Sequence, residues 1–254
     1  MHLIYISLQK ALLLCLLIFF AAACVTDQAN SNKRANALEN LGNSLVAQGN
    51  QREGLAKLLE SVKLQPDNAD AHHQIALIYR FLGEYDSSEL QFKKALSIRP
   101  DFSEASNNLG TLYLLLQRWD EAIACFKRAA SNILYTTPHF AYHNMGWAYY
   151  KKGEYPKAME SYRRALEILP SFGPCYVKLG LVYEKTDRWE DAITAYHKAL
   201  EYFPDYPLAR LNLGRIYMDK GWVEAAEREL EKTIESDPKG PYAEEARRLM
   251  EKIR

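Results

Sequence analysis

Apolar and polar positions along this chain follow the three-and-four spacing of helices that bury one face. A small residue recurs at Gly42, Ala76, Gly110, Gly146, Gly180 and Gly214, a step of 34 residues lengthened once to 36. An apolar residue precedes each (Leu41, Ile75, Leu109, Met145, Leu179, Leu213), and three places beyond stands Leu45, Tyr79, Tyr113, Tyr149, Tyr183 or Tyr217. These positions share one helical face. Further on come a small residue (Gly54, Ser88, Ala122, Ala158, Ala192, Ala226) and, one turn later, a large one (Leu58, Phe92, Phe126, Tyr162, Tyr196, Leu230). The pattern predicts two helices per step, packed closely where the small residues meet. Ser61, Ala95, Ala129, Ala165, Ala199 and Thr233 leave room for the next step to lie alongside. Pro66, Pro100, Pro170, Pro204 and Pro238 predict where the second helices stop, since proline lacks the amide and disfavours helix in the residue before it.

A helical hairpin repeated about every 34 residues resembles the tetratricopeptide repeat. That resemblance implies an all-α fold, a right-handed α-solenoid of six helix pairs over residues 35–68, 69–102, 103–136, 139–172, 173–206 and 207–240. Residues 241–254 then predict a capping helix, with Ala243, Ala246, Leu249, Met250 and Ile253 inward and charge on the other side. A solenoid needs such a cap, or its last repeat leaves an open apolar face. Between the third and fourth repeats, Ser131-Asn132-Ile133-Leu134-Tyr135-Thr136-Thr137-Pro138 is two residues longer and its proline is displaced, which predicts a bend or a change of stacking.

Residues 1–23 differ from all of this. Lys10 is their only charged residue, and an apolar run from Ala11 to Phe20 is closed by Ala21-Ala22-Ala23-Cys24. A short apolar core followed by small residues reads as an export signal. It resembles a bacterial lipoprotein signal, which implies that Cys24 is lipidated and begins the mature chain. A plain secretory signal and a retained membrane helix (Leu3 to Val25 is long enough to span) are the alternatives. Val25 after the cysteine resembles outer-membrane sorting. Within residues 24–34, the lipidated cysteine and tether, Thr26 to Arg34 read as a polar stretch of about 30 Å at most when extended, placing the folded part at the periplasmic face.

Lys plus Arg and Asp plus Glu are equal at 32 each, so nothing recommends nucleic acid as a partner. No phosphate loop, zinc-protease motif or nucleophile elbow is present, and the sequence predicts neither an enzyme nor a cofactor. His139 and His143 are one turn apart but lack a third ligand at useful spacing, so no metal is expected. His72 and His73 point apart on a helix. Glu121 and Asp191, just after Trp119 and Trp189, read as helix-start acids. Cys125 and Cys175 lie in non-adjacent repeats and read as small core residues rather than a disulfide.

First helices of tetratricopeptide repeats line the concave side, and the sixth place of each repeat points into it. Those residues are Asn40, Gln74, Asn108, Asn144, Lys178 and Asn212. Four asparagines among six resemble an asparagine ladder, whose carboxamides offer both donors and an acceptor to a peptide backbone. A solvated helix face accounts for them equally well. Asn43, Arg80, Trp147 and Tyr150 complete the candidate groove, a surface suited to a polypeptide segment. Arg80, Lys151, Lys178, Lys185 and Arg215 are scattered over four repeats, which does not predict the carboxylate clamp of chaperone-binding relatives.

Six such repeats behind a lipoprotein signal, with Leu134-Tyr135-Thr136-Thr137-Pro138 leading into Asn144-Met145-Gly146, resemble the type IV pilus biogenesis and stability lipoproteins of the pilotin (PilF/PilW) type. The resemblance implies a non-catalytic outer-membrane lipoprotein whose groove captures a secretin subunit and aids secretin assembly. An envelope scaffold for peptidoglycan-remodelling or other assembly proteins is the alternative.

Overall fold

In this computed structural model residues 29–253 are described, so the expected signal over 1–23 and Cys24 lie outside the described residues. Thirteen helices follow one another: α1 (residues 29–47), α2 (Gln51–Leu64), α3 (Ala69–Phe81), α4 (Tyr85–Ile98), α5 (Ser103–Leu115), α6 (Trp119–Ser131), α7 (Pro138–Lys151), α8 (Tyr155–Ile168), α9 (Gly173–Lys185), α10 (Trp189–Tyr202), α11 (Pro207–Asp219), α12 (Val223–Ser236) and α13 (Pro241–Ile253). They form six consecutive pairs and a cap, with no strand among the described residues. The chain divides into two compact units, the first ending at Ala105 and the second beginning at Ser106, inside α5.

The columns explain the pairing. Leu58, Phe92, Phe126, Tyr162, Tyr196 and Leu230 are all fully buried. Each anchor glycine seats the ring or branch of that large residue: a methyl group on Gly110 would lie 2.6 Å from Phe126, on Gly146 2.7 Å from Tyr162, and on Gly180 2.5 Å from Tyr196. The anchor is therefore small to admit one particular side chain from the second helix. In the second repeat Ala76 replaces glycine, and its carbonyl accepts a hydrogen bond of 2.8 Å from the buried Ser88 hydroxyl. Leu41 breaks the pattern at 48% exposure, on the outermost described helix.

The prolines act as expected. Helices α2, α4, α8, α10 and α12 each end two residues before proline. The intervening cap residues Gln65, Arg99, Leu169, Phe203 and Asp237 hold ψ between 80° and 90°, outside the helical region that a following proline disfavours. Helix α6, without such a proline, ends at Ser131 with Asn132 as its cap, and α6 and α7 pack directly against each other across the longer junction. At the far end α13 packs on α11 and α12, burying Ala243 and Ala246 as expected, with Leu249, Met250 and Ile253 against Leu211 and Leu230.

Two features depart from the sequence reading. Residues 29–34, expected as tether, are the first turns of α1. They contain no glycine or proline, and extending a helix that tertiary packing has already nucleated adds a hydrogen bond for each residue fixed. The second is a column the periodicity did not reveal. Every turn between paired helices passes through a positive φ, at Gly49, Gly83, Gln117, Gly153, Asp187 and Gly221, with Gln117 at 58° and Asp187 at 55°. A Cβ at Gly49, Gly83, Gly153 or Gly221 would meet nothing within 4 Å, so the glycine serves the backbone alone. Left-handed backbone costs a residue with a Cβ roughly 1–2 kcal/mol, partly offset by the extra freedom glycine has when unfolded. Gln117→Gly should therefore stabilise by up to about 1 kcal/mol. A lowered thermal midpoint would contradict it.

Candidate functional site

Within the second compact unit, helices α7, α9 and α11 are the first helices of successive pairs. Relative to their anchors, the residues two before, one after and four or five after share a face, because those offsets close one helical turn. On α7 that face carries Asn144, Trp147, Tyr150 and Lys151; on α9 Lys178, Leu181, Glu184 and Lys185; on α11 Asn212, Arg215 and Asp219.

Four of these meet. The rings of Trp147 and Tyr150 stack nearly parallel, 9° apart with centroids 5.0 Å distant. Lys178 reaches over from α9 to place its Nζ 3.8 Å from the Trp147 ring centre, and Lys151 Nζ lies 4.9 Å from the same ring. Beside them opens a cleft of about 420 Å³ lined by Tyr150, Leu181, Glu184, Trp189, Arg215 and Asp219. Glu184 accepts a short hydrogen bond from the Tyr196 hydroxyl, and burial raises its pKa. A cleft of similar size between α11 and α12 is lined by Asp205, Arg210, Lys232, Glu235 and Ser236 and has no aromatic wall.

The asparagines behave unequally. Asn144 donates from Nδ2 to Asn107 Oδ1 at 3.4 Å, so this pairing runs to the neighbour of Asn108. Asn108 is half-buried. Asn212 is only 2% exposed: its Oδ1 accepts from Arg215 Nη1 at 3.4 Å, while its Nδ2 is buried without a partner. It offers nothing to a ligand unless α11 shifts. In the first compact unit Asn40 is exposed, and Asn43, Gln74 and Arg80 are half-buried. Burial lowers the Arg80 pKa, and its Nη1 lacks a partner.

The remaining candidates are structural. His139 and His143 both pack edge-on to Phe172, at centroid distances of 5.3 and 5.2 Å, and among the described residues no group of three or more metal-ligating side chains occurs. Burial, then the nearby Lys178 and His139, lowers the His143 pKa to about 4, leaving it neutral at pH 7. His72 contacts Gln91 and the Pro66 carbonyl, while His73 packs on Phe92 and Phe102. Glu121 and Asp191 sit in the first turns of α6 and α10 but pair with Arg118 and Arg188, which stand at the uncapped helix starts. Cys175 is fully buried and donates to the Tyr162 carbonyl; Cys125 is only partly buried.

Tyr162 and Tyr196 occupy one column with opposite polar fates. The Tyr162 hydroxyl is buried with no hydrogen-bond partner, whereas Tyr196 serves Glu184. Tyr162→Phe should stabilise by about 1 kcal/mol, since an unsatisfied buried hydroxyl is removed, and Tyr196→Phe should cost about 1.5–3 kcal/mol through loss of a bond to a charged group. Urea titration of both variants checks the pair. The reverse order of stabilities would refute it.

Sequence reasoning picked out Trp147, Tyr150 and Lys178 but left out Leu181, Glu184 and Asp219. The signal was available, because Glu184 occupies on α9 the place Tyr150 holds on α7. What concealed it was the change of residue type along the column.

Tetratricopeptide-repeat family models match residues 69–102, 101–171 and 185–253, together more than half of the chain. The crystal structure of PilW, a widely conserved type IV pilus biogenesis factor, is similar with a TM-score of 0.75 and 26% identity, over 83% of this chain and 97% of that one. PilF of Pseudomonas aeruginosa is similar at a TM-score of 0.73 and 17% identity, over 86% of this chain and 99% of that one. YrrB, described as a tetratricopeptide protein with an unusual peptide-binding site, is similar at 0.57 and 19%, over 75% of this chain and 97% of that one. No curated protein matches in sequence.

Proposed function

The chain being a tetratricopeptide-repeat protein, we propose that it is a pilotin: a lipid-anchored, non-catalytic receptor that binds a secretin subunit and aids its assembly in the outer membrane. The observation that carries this is the match to PilW, which spans nearly all of that protein and most of this chain at 26% identity. The aromatic and polar face of α7, α9 and α11 supports a polypeptide as cargo, since stacked rings and a 420 Å³ cleft offer area while amides and charges offer direction. Cys24 supplies the tether in this reading, and the stacked pairs supply the binding surface.

The role asks for no chemistry on the cargo. A chaperoning receptor needs modest, reversible affinity, and a face built from several half-buried contacts suits that better than one deep pocket. Deleting the gene should abolish heat-resistant secretin multimers on gels while leaving secretin monomer detectable. Undiminished multimers after deletion would end the pilotin reading and leave a scaffold for other envelope machinery.

A further inference from the structure

The two lysines at Trp147 have an unusual setting. Lys178 and Lys151 both direct ammonium groups at one indole, and among the described residues no ion pair is formed by either. Several lysines elsewhere in the same compact unit are paired: Lys152 with Asp120 and Glu154, Lys157 with Glu154, Lys198 with Glu201. Lys178 is half-buried, so its charge is poorly hydrated as well as unpaired. The ring quadrupole compensates only part of that deficit. Glu184, two turns along α9, is engaged by Tyr196 and does not supply the missing charge.

We propose that the Trp147 face is a receptor for an acidic, extended polypeptide segment, whose carboxylates pair with Lys151 and Lys178 while its apolar side chains lie on Trp147 and Tyr150. This rests on the reading of this face as a polypeptide receptor. Burial and the neighbouring Lys151 lower the Lys178 pKa, in keeping with a cation awaiting its counter-charge. The sign of charge alternates beyond the lysines, with Glu184 and Asp219 beside Lys185 and Arg215 in the adjoining cleft. Such alternation suits a peptide with spaced charges and repels a polyphosphate backbone. The net charge of zero makes the acidic preference local to this face.

Selection of random short peptides displayed on phage against the full-length chain in detergent tests this. Fluorescence anisotropy of the resynthesised winners follows, with Lys151→Gln/Lys178→Gln and Lys178→Arg variants as comparison. Expected are winners rich in Asp or Glu, whose affinity falls with salt and drops at least about tenfold in the double variant. Lys178→Arg should keep most of the binding, and unchanged circular dichroism excludes misfolding. Winners without acidic bias that ignore both lysine changes would overturn the acidic preference yet leave the polypeptide receptor standing. Failure to select any binder would remove both.

Discussion

Replacing Phe126 by alanine is expected to lower the unfolding free energy by about 3–5 kcal/mol, the usual cost of emptying an aromatic site in a core that cannot collapse. The ring is fully buried and its edge fills the notch over Gly110, where a methyl would already lie 2.6 Å away. Gly110 has no side chain to move into the vacancy, so the cavity stays open. Leu115→Ala, on the partner helix but at a side chain 55% exposed, should change stability by no more than about 0.5 kcal/mol. Because stacked repeats couple only to neighbours, hydrogen exchange should quicken first in α5 and α6. A urea midpoint for Phe126→Ala close to wild type, at unchanged slope, would mean that the column does not bear the packing assigned to it.

Cys24→Ala is expected to move nearly all of the protein from the membrane pellet to the soluble fraction. Each buried acyl methylene contributes about 0.8 kcal/mol and more than one chain makes attachment stable, so under the proposed lipidation losing Cys24 removes the whole of that energy at once. Among the described residues no helix is long and apolar enough to cross a membrane, so none of α1–α13 offers a spanning anchor in its place. The experiment also separates the readings of residues 1–23. A retained membrane helix would keep the variant in the pellet and refute lipidation as the means of attachment.

Most of the fold was legible because a repeat states each packing requirement six times. A single Gly110–Phe126 spacing would have been weak evidence, but its recurrence as Gly146–Tyr162 and Gly180–Tyr196 left little freedom in pairing. The prolines placed five helix ends for a local reason, the restriction they impose on the preceding residue. The turn column was harder. Gln117 and Asp187 take the same backbone conformation as four glycines; aspartate tolerates it better than most residues, but nothing in the chemistry of glutamine announces it. The start of α1 was missed because polarity was read as absence of helix, although Ala29 to Arg34 contains no residue that breaks one.

The site divides along the same line. Sequence alone determined which columns share one face of the first helices, since that depends only on offset from the anchor and the helical period. It also determined the residue types on that face. Only the tertiary structure decided which of them meet: Lys178 with Trp147 across two helices, Tyr196 with Glu184, and Asn212 sealed inside although it shares its column with Asn144. Helical periodicity fixes directions around one axis, whereas contacts between axes depend on how closely neighbouring helices approach and how far each long side chain reaches.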